Sequence, residues 1–475
     1  MSPNTHVDAL TWLYQKVTGT LPGSIAPLPR SGSARVYYRI TSDYLTCIGT
    51  YNGDVRENET FIYLAKHLSQ RNIPVPQILG VSECKKYYLQ TDLGSLSLYD
   101  IITNPDADAF ETEKLLVKVV SDLAKFNMFG FEGINELMLY PIPRFDIKSV
   151  MWDLYYFKYC FIKPLGVTFN EAELEKVFDY LSAIVLGGDN RFLQFRDFQS
   201  RNVMVTPQGL YYIDFQSARI GSGLYDLASL LYQAKANFSN ALRNKLLQLY
   251  IDELETNRTA GKANILSLFP YMAIFRILQT LGAYGFRGLM ERKAHFIQSI
   301  PIAMQNLGNL LESVSDNNLY YLNQLQLELS QLFKVENDEY FNGLTLKVYS
   351  FSIKNEYPPL HPEHGGGFVF DCRVLPNPGQ LDEYKDLTGL DKPVIDFLNS
   401  NSEVKIFCSN VSKLVMDTID KYLARNFKHL SVGFGCTGGQ HRSVFCAEHL
   451  VKMLKGSYGD NALKIVVNHI ELEKR

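Results

Sequence analysis

The stretch FLQFRDFQSRNVMVTPQGLYYIDF, residues 192–215, decides how this chain is read. Two apolar runs flank a Pro-Gln-Gly turn, which predicts a β-hairpin. Ahead of the hairpin stand Asp197 and Asn202, five residues apart, and behind it stands Asp214. Phosphoryl transfer needs these residue types. One carboxylate accepts or orients the proton of an attacking hydroxyl, an oxygen from the same loop holds Mg²⁺, and a second carboxylate bridges metal and phosphates. Read this way, Asp197 is the base, and Asn202 and Asp214 are the metal ligands. The alternative is a turn residue at Asp197 and a strand-end cap at Asp214. The strand-loop-strand-Asp order is the context in which the pattern carries chemistry. Asp226 opens a helix shortly after and either braces the loop or is a helix N-terminal charge.

Outward from this island, residues 35–50 read as two short strands. Residues 57–71 place Phe61, Leu64, Ala65 and Leu68 on one helical face, and Pro74 and Pro76 bar its continuation. Strand-like runs follow at 78–81 and 87–91. Residues 1–95 therefore read as a small strand-rich lobe. Helical patterns near 109–129, 151–164, 171–186, 239–255, 268–286 and 291–313 make residues 96–335 a helical lobe. After the polar stretch 335–343, residues 344–475 alternate strands (345–353, 368–374, 429–434), a helix over about 402–426, and a closing helix and strand. The expectation is an α+β bilobal, protein-kinase-like domain, then an α/β domain with a phosphate-binding loop.

The chain has 475 residues, 47 Lys+Arg and 50 Asp+Glu. Residues 341–475 are also balanced, with 16 basic and 15 acidic side chains. Nothing in this charge calls for nucleic acid or a membrane surface as partner. Seven scattered cysteines argue against a disulfide framework. There is no basic-then-apolar leader and no run of 18 apolar residues, so the expected location is cytoplasmic.

A second constellation is Gly435-Cys-Thr-Gly-Gly-Gln-His-Arg-Ser443, which follows a strand and opens a helix. Amides at glycines and a helix N-terminus make an anion nest, and Arg442 can grip phosphate. The same run is Cys-x5-Arg-Ser, the order of cysteine-dependent phosphatases. In that reading Cys436 is the nucleophile and Asp371 the acid.

The passages RDFQSRNVMV, IDFQSARIGSGLYDLASLLYQ, TDLG (91–94) and MWDLYYFKYC (151–160) resemble the aminoglycoside-phosphotransferase-like kinases. More closely, they resemble the N-acetylmuramate/N-acetylglucosamine anomeric kinases of cell-wall recycling. The resemblance implies ATP between two lobes, Mg²⁺, and a turn at Gly32, Ser33 and Arg35 over the phosphates. Here Phe195 stands where those kinases commonly have His. The strand TCIGTY carries no phosphate-pairing Lys, a charge that Arg35 or Arg39 can supply. Trp152 offers a flat face for a sugar ring, Asp153 polar groups for its hydroxyls, and Arg276 a partner for an acidic substituent. The run FDCRVLPNP (370–378), LTGLD (387–391) and GCTGGQHRS together resemble the C-terminal domain of the RNase adapter RapZ. That implies an amino-sugar phosphate held by Cys436, Thr437, Gly438, Gly439, His441 and Arg442, with Asp371 and Arg373 nearby. The combined expectation is an ATP-dependent amino-sugar kinase fused to a phosphosugar-binding module. The alternatives are a kinase/phosphatase and a non-catalytic regulatory adapter.

Overall fold

The computed structural model describes residues 4–29, 35–257, 262–333, 343–355, 357–358, 367–459 and 462–473. They form two compact units that divide close to residue 333.

The first unit begins with a five-stranded antiparallel sheet. Its order is Ser24–Pro27, Val36–Thr41, Cys47–Tyr51, Tyr87–Thr91, Ile78–Val81. A helix that the sequence reading did not anticipate, Asn4–Thr18, buries Leu10, Leu13 and Tyr14 against Ile40, Cys47 and Leu89 of this sheet. The helix Val55–Ser69 starts where the Asp54 carboxylate accepts the Glu57 amide. It buries the expected Phe61, Leu64, Ala65 and Leu68.

Helices then dominate: Ala109–Phe131, Ile147–Phe157, Glu171–Leu186, Leu224–Leu231, Asn240–Asn257, Lys262–Tyr284, Ile300–Val314 and Tyr320–Gln331. Two of them differ from expectation for identifiable reasons. The helix expected over 151–164 starts earlier, capped by Asp146, and loosens into a π-turn at Lys158–Ile162. There it packs on the π-turn Gly285–Met290 that continues the helix Lys262–Tyr284, so closely that a Cβ on Gly285 would sit 2.1 Å from the Cys160 carbonyl oxygen. The helix expected from 291 begins at Ile300 instead, with Pro301 in its first turn. The segment Asn264–Met290 is long and apolar enough to cross a membrane. In this fold its Ile274, Phe275, Leu278 and Leu281 are buried in the helical core.

Between these helices the island at 192–215 folds as read. The hairpin Val203–Thr206/Gly209–Tyr212 is antiparallel, and the strand Phe192–Gln194 pairs with Arg219–Gly221. The unit has the kinase-like architecture: a small sheet with its helix, then a helical lobe carrying a catalytic-type loop.

The second unit is α/β. Its four-stranded parallel sheet runs Phe368–Asp371, His429–Cys436, Leu344–Ser352, Leu463–His469. The helices Ser402–Ala424 and Arg442–Lys455 bury Val404, Val411, Val415, Leu450 and Leu454 in its core. Cys436 lies opposite Ser352 and Gly435 opposite Asp371. Three strand C-termini therefore meet at the Gly-rich loop, the end of a parallel sheet where ligands bind.

Candidate functional sites

The first site is built on a strained turn. Phe195 leaves the strand Phe192–Gln194 fully buried, packed against the rings of Phe126, Phe198 and Phe215. An apolar ring thus anchors the start of the loop. Arg196 follows at φ +79°, a left-handed conformation costly for a non-glycine residue. Several contacts hold it there. Asp226 accepts the amides of Phe195 (2.6 Å) and Arg196 (2.8 Å). The Arg196 guanidinium donates to Asp153 (2.9 and 3.2 Å) and lies over the Tyr225 ring. Asp226 therefore does brace the loop. It also accepts from Asn127 Nδ2 (3.0 Å), and burial pushes its pKa up to about 7 against these hydrogen bonds.

The turn presents Asp197. Its Oδ2 accepts from Arg201 Nη2 (2.9 Å) and Asn202 Nδ2 (3.4 Å), and its Oδ1 lies 3.7 Å from Arg276 Nη2. Asn202 Nδ2 also donates to the Asp197 carbonyl (2.8 Å), which leaves the Asn202 amide oxygen as an acceptor. The Ile213 amide donates to the Asn202 carbonyl (3.0 Å), so the hairpin returns Asp214 beside the loop it left. Asp214 also has positive φ, +72°, and receives Gln216 Nε2 at 2.8 Å. Next to it, Phe215 stacks on Phe61 at 4.9 Å, which ties this residue pair to the helix Val55–Ser69.

Asn202 and Asp214 offer hard oxygens from one amide and one carboxylate. That suits Mg²⁺, which completes its shell with phosphate oxygens and water. Among the described residues no cluster of three or more His, Cys, Asp or Glu forms an all-protein metal cage.

On the sheet side, Arg35 is buried and its Nη2 lies 3.3 Å from Glu57 Oε2. Arg39 instead donates to Asp92 at 2.6 Å. Of the two arginines read as substitutes for the missing lysine, Arg35 is the one joined to the first turn of the sheet's helix. Gly32 and Ser33 lie outside the described residues.

The substrate-side residues are placed unequally. Trp152 is 53% exposed, with Lys148 Nζ 5.1 Å from its ring centroid. Asp153 directs its carboxylate to Arg196 rather than outward. Arg276 is buried, donates to Ser229 (3.1 Å), Gln279 and Thr280, and abuts Asp197. Sequence reasoning missed Glu57, Arg201 and Arg219. Arg219 is buried beside Arg196, and burial, then that neighbouring charge, lowers its pKa to about 10.

In the second unit all three quoted motifs converge on one loop. The Gly439 amide and the Ser443 hydroxyl each lie 3.2 Å from Cys436 Sγ. Gly439 has φ +68°. The amides of Thr437, Gly438 and Gln440 make no hydrogen bond among the described residues, and a Cβ on Gly438 would meet open space. That is the geometry of an anion nest. Arg442 is buried, and its Nη1 donates to the carbonyls of Arg373 (3.1 Å) and Leu375 (3.0 Å). His441 Nε2 donates to the Tyr384 carbonyl (2.9 Å), which leaves Nδ1 as the acceptor nitrogen. Asp371 and Arg373 form an exposed ion pair at 2.6 Å, and Arg373 holds the Asp371 carboxyl below its usual range.

Gly389 donates its amide to the Gln440 carbonyl at 2.8 Å. A Cβ there would lie 2.3 Å from the His441 carbonyl oxygen and 2.6 Å from the Phe445 amide nitrogen. Gly389→Ala must therefore push the loop and helix start aside. Calorimetry of the full chain should show the second unit melting lower by about 1–3 kcal/mol of stability, with the first unit unchanged.

Residues 24–262, just over half of the chain, match the model described as "Phosphotransferase enzyme family". The chain belongs to that family. Residues 344–473 match the "RapZ C-terminal domain". Curated relatives include a "nucleotide-binding protein" of Aromatoleum aromaticum, 34% identical over 182 residues, which are 38% of this chain and 58% of that protein. Another, from Paraburkholderia phytofirmans, is 41% identical over 128 residues, 27% of this chain and 40% of the relative. This chain thus spans between two-fifths and three-fifths of these relatives' length. Similar solved structures include a putative aminoglycoside phosphotransferase of Ralstonia eutropha (13% identity, TM-score 0.47, 69% of this chain and 98% of that one). A Plasmodium vivax ethanolamine kinase is also similar (12% identity, TM-score 0.43, 65% and 84%).

Proposed function

We propose that the chain is an ATP-dependent amino-sugar kinase, acting on N-acetylmuramate, N-acetylglucosamine or a relative at the anomeric hydroxyl. Its second unit binds an amino-sugar phosphate. The observation that carries the kinase reading is the convergence of Asp197, Asn202 and Asp214 through the Asn202–Ile213 backbone bond. Asp197 accepts the proton of the attacking hydroxyl as its oxygen bonds to the γ-phosphorus. Asn202 and Asp214 would hold Mg²⁺, which neutralises charge on the transferring phosphates when bound. Arg35, held by Glu57, faces the nucleotide. Trp152 offers a ring face to the pyranose.

For the second unit, the anchoring of Arg442 to two carbonyls favours holding an oxyanion over attacking it. In a cysteine phosphatase that guanidinium must grip the equatorial phosphate oxygens. The unpaired loop amides suit phosphate, and small phosphosugars fit the balanced charge of this unit better than nucleic acid does. The partners are then small molecules, and the compartment is the cytoplasm, where ATP and free sugars meet.

The test is ATP consumption over a panel of free amino sugars, with phosphorus NMR to place the new ester. An anomeric phosphate formed only with intact Asp197 is the expected result. Absence of Asp197-dependent turnover on every sugar would falsify the kinase reading.

A further inference from the structure

We infer that Arg201 is a catalytic residue of the phosphoryl transfer, an arginine supplied by the catalytic loop itself that grips the migrating phosphoryl group. This rests on the kinase reading above and adds to it a cation for the migrating group, distinct from Arg35 on the nucleotide side.

The loop places Arg201 four residues after the base and next to the metal-site asparagine. Its Nη2 donates to Asp197 Oδ2 at 2.9 Å, and the Asp214 charge also acts on its guanidinium. The loop therefore sets this guanidinium directly at the carboxylate that meets the attacking hydroxyl. It is 56% exposed, so this is an open ion pair on one loop, not a buried structural pair. Such pairs contribute little to stability, and folding gives no strong reason for an arginine here.

The charges around it are already committed. Arg276 is buried in its own contacts with Ser229, Gln279 and Thr280. Arg196 faces Asp153, Arg39 faces Asp92, and the strand Cys47–Tyr51 carries no lysine. Among the described residues, Arg201 is the cation that lies at the reacting carboxylate and also reaches solvent. When a sugar hydroxyl takes its place on Asp197 Oδ2, the guanidinium is released within a few ångströms of the attack line. The hydroxyl oxygen then forms its bond to the γ-phosphorus. The bond from phosphorus to the β–γ bridging oxygen breaks, its electron pair leaves with ADP, and the hydroxyl proton passes to Asp197. Charge builds on the equatorial and leaving oxygens during this step, and a forked planar cation stabilises it.

The decisive measurement needs no sugar. Binding of ADP with aluminium fluoride, a mimic of the transferring phosphoryl group, is compared with binding of ADP alone, both with Mg²⁺. The intact chain should bind the fluoride complex at least tenfold more tightly, and Arg201→Gln should erase that gain while leaving ADP affinity within about twofold. On the sugar that turns over, Arg201→Gln should lower kcat about a hundred- to a thousand-fold, with either KM changed by less than threefold. Arg201→Lys should recover part of the loss. A variant that keeps the fluoride-dependent tightening overturns the role of Arg201 but not the kinase reading. No tightening in the intact chain overturns both. A raised sugar KM at unchanged kcat reassigns Arg201 to substrate binding.

Discussion

Asp197→Asn should lower amino-sugar phosphorylation by about a hundred- to ten-thousand-fold, the range that a positioned general base contributes. The fold should be retained. Two donors converge on the Asp197 carboxylate, from Arg201 and Asn202, and the buried Arg276 guanidinium lies 3.7 Å away as a counter-charge. Asparagine keeps one acceptor oxygen for them and removes the basic site. Alanine would leave the Arg276 guanidinium without its counter-charge, which mixes a stability loss into the reading. The measurement is steady-state phosphate transfer together with thermal unfolding followed by tryptophan fluorescence. Both tryptophans, Trp12 and Trp152, lie in the first unit, so the signal reports that unit alone. Full activity in a folded Asp197→Asn protein would remove Asp197 as the base.

The island at 192–215 was legible because its geometry is local. A turn of Pro-Gln-Gly fixes the hairpin, and the hairpin fixes how far Asp214 lies from Asn202. The parallel strands of the second unit were legible for a similar reason, as apolar runs closed by glycine-rich turns. The partners of the site residues were not. Asp226 meets Phe195 across 31 positions and Asp153 meets Arg196 across 43, distances over which no periodicity carries information. Asp153 shows the consequence. Its place on an aromatic helix suggested a sugar ligand, whereas the fold turns it toward a loop arginine. Arg442 is the matching case in the second unit. The Cys-x5-Arg spacing suggests a guanidinium at the nest, and it carries no sign of the two carbonyls of the 372–375 turn that hold its Nη1. Short elements such as the strands Phe192–Gln194 and Arg219–Gly221 left no pattern of their own, since three residues cannot establish a period.

The largest stability effect should come from Asp226→Ala. The carboxylate is completely buried and accepts two backbone amides and the Asn127 side chain. Its removal leaves those three donors buried without an acceptor, at about 1–3 kcal/mol each. The sum is a large part of the roughly 5–15 kcal/mol that holds a domain folded. Arg196 would lose the hold that keeps it at positive φ, and Asp197 would move with it, so activity should fall even where folding survives. Asp226→Asn should be milder, because its oxygen still accepts while its NH₂ group opposes one donor. The two proteins should also differ in pH dependence. Burial raises the folded-state pKa of Asp226 to about 7, above its unfolded value. Stability from this group is therefore complete below the unfolded pKa and is lost as pH rises through about 7. The stability advantage of the native chain over Asp226→Asn, read from tryptophan-monitored unfolding at pH 5, 6, 7 and 8, should narrow step by step across that range. An advantage that widened with pH would mean that the three donors outweigh burial and that Asp226 is ionised throughout.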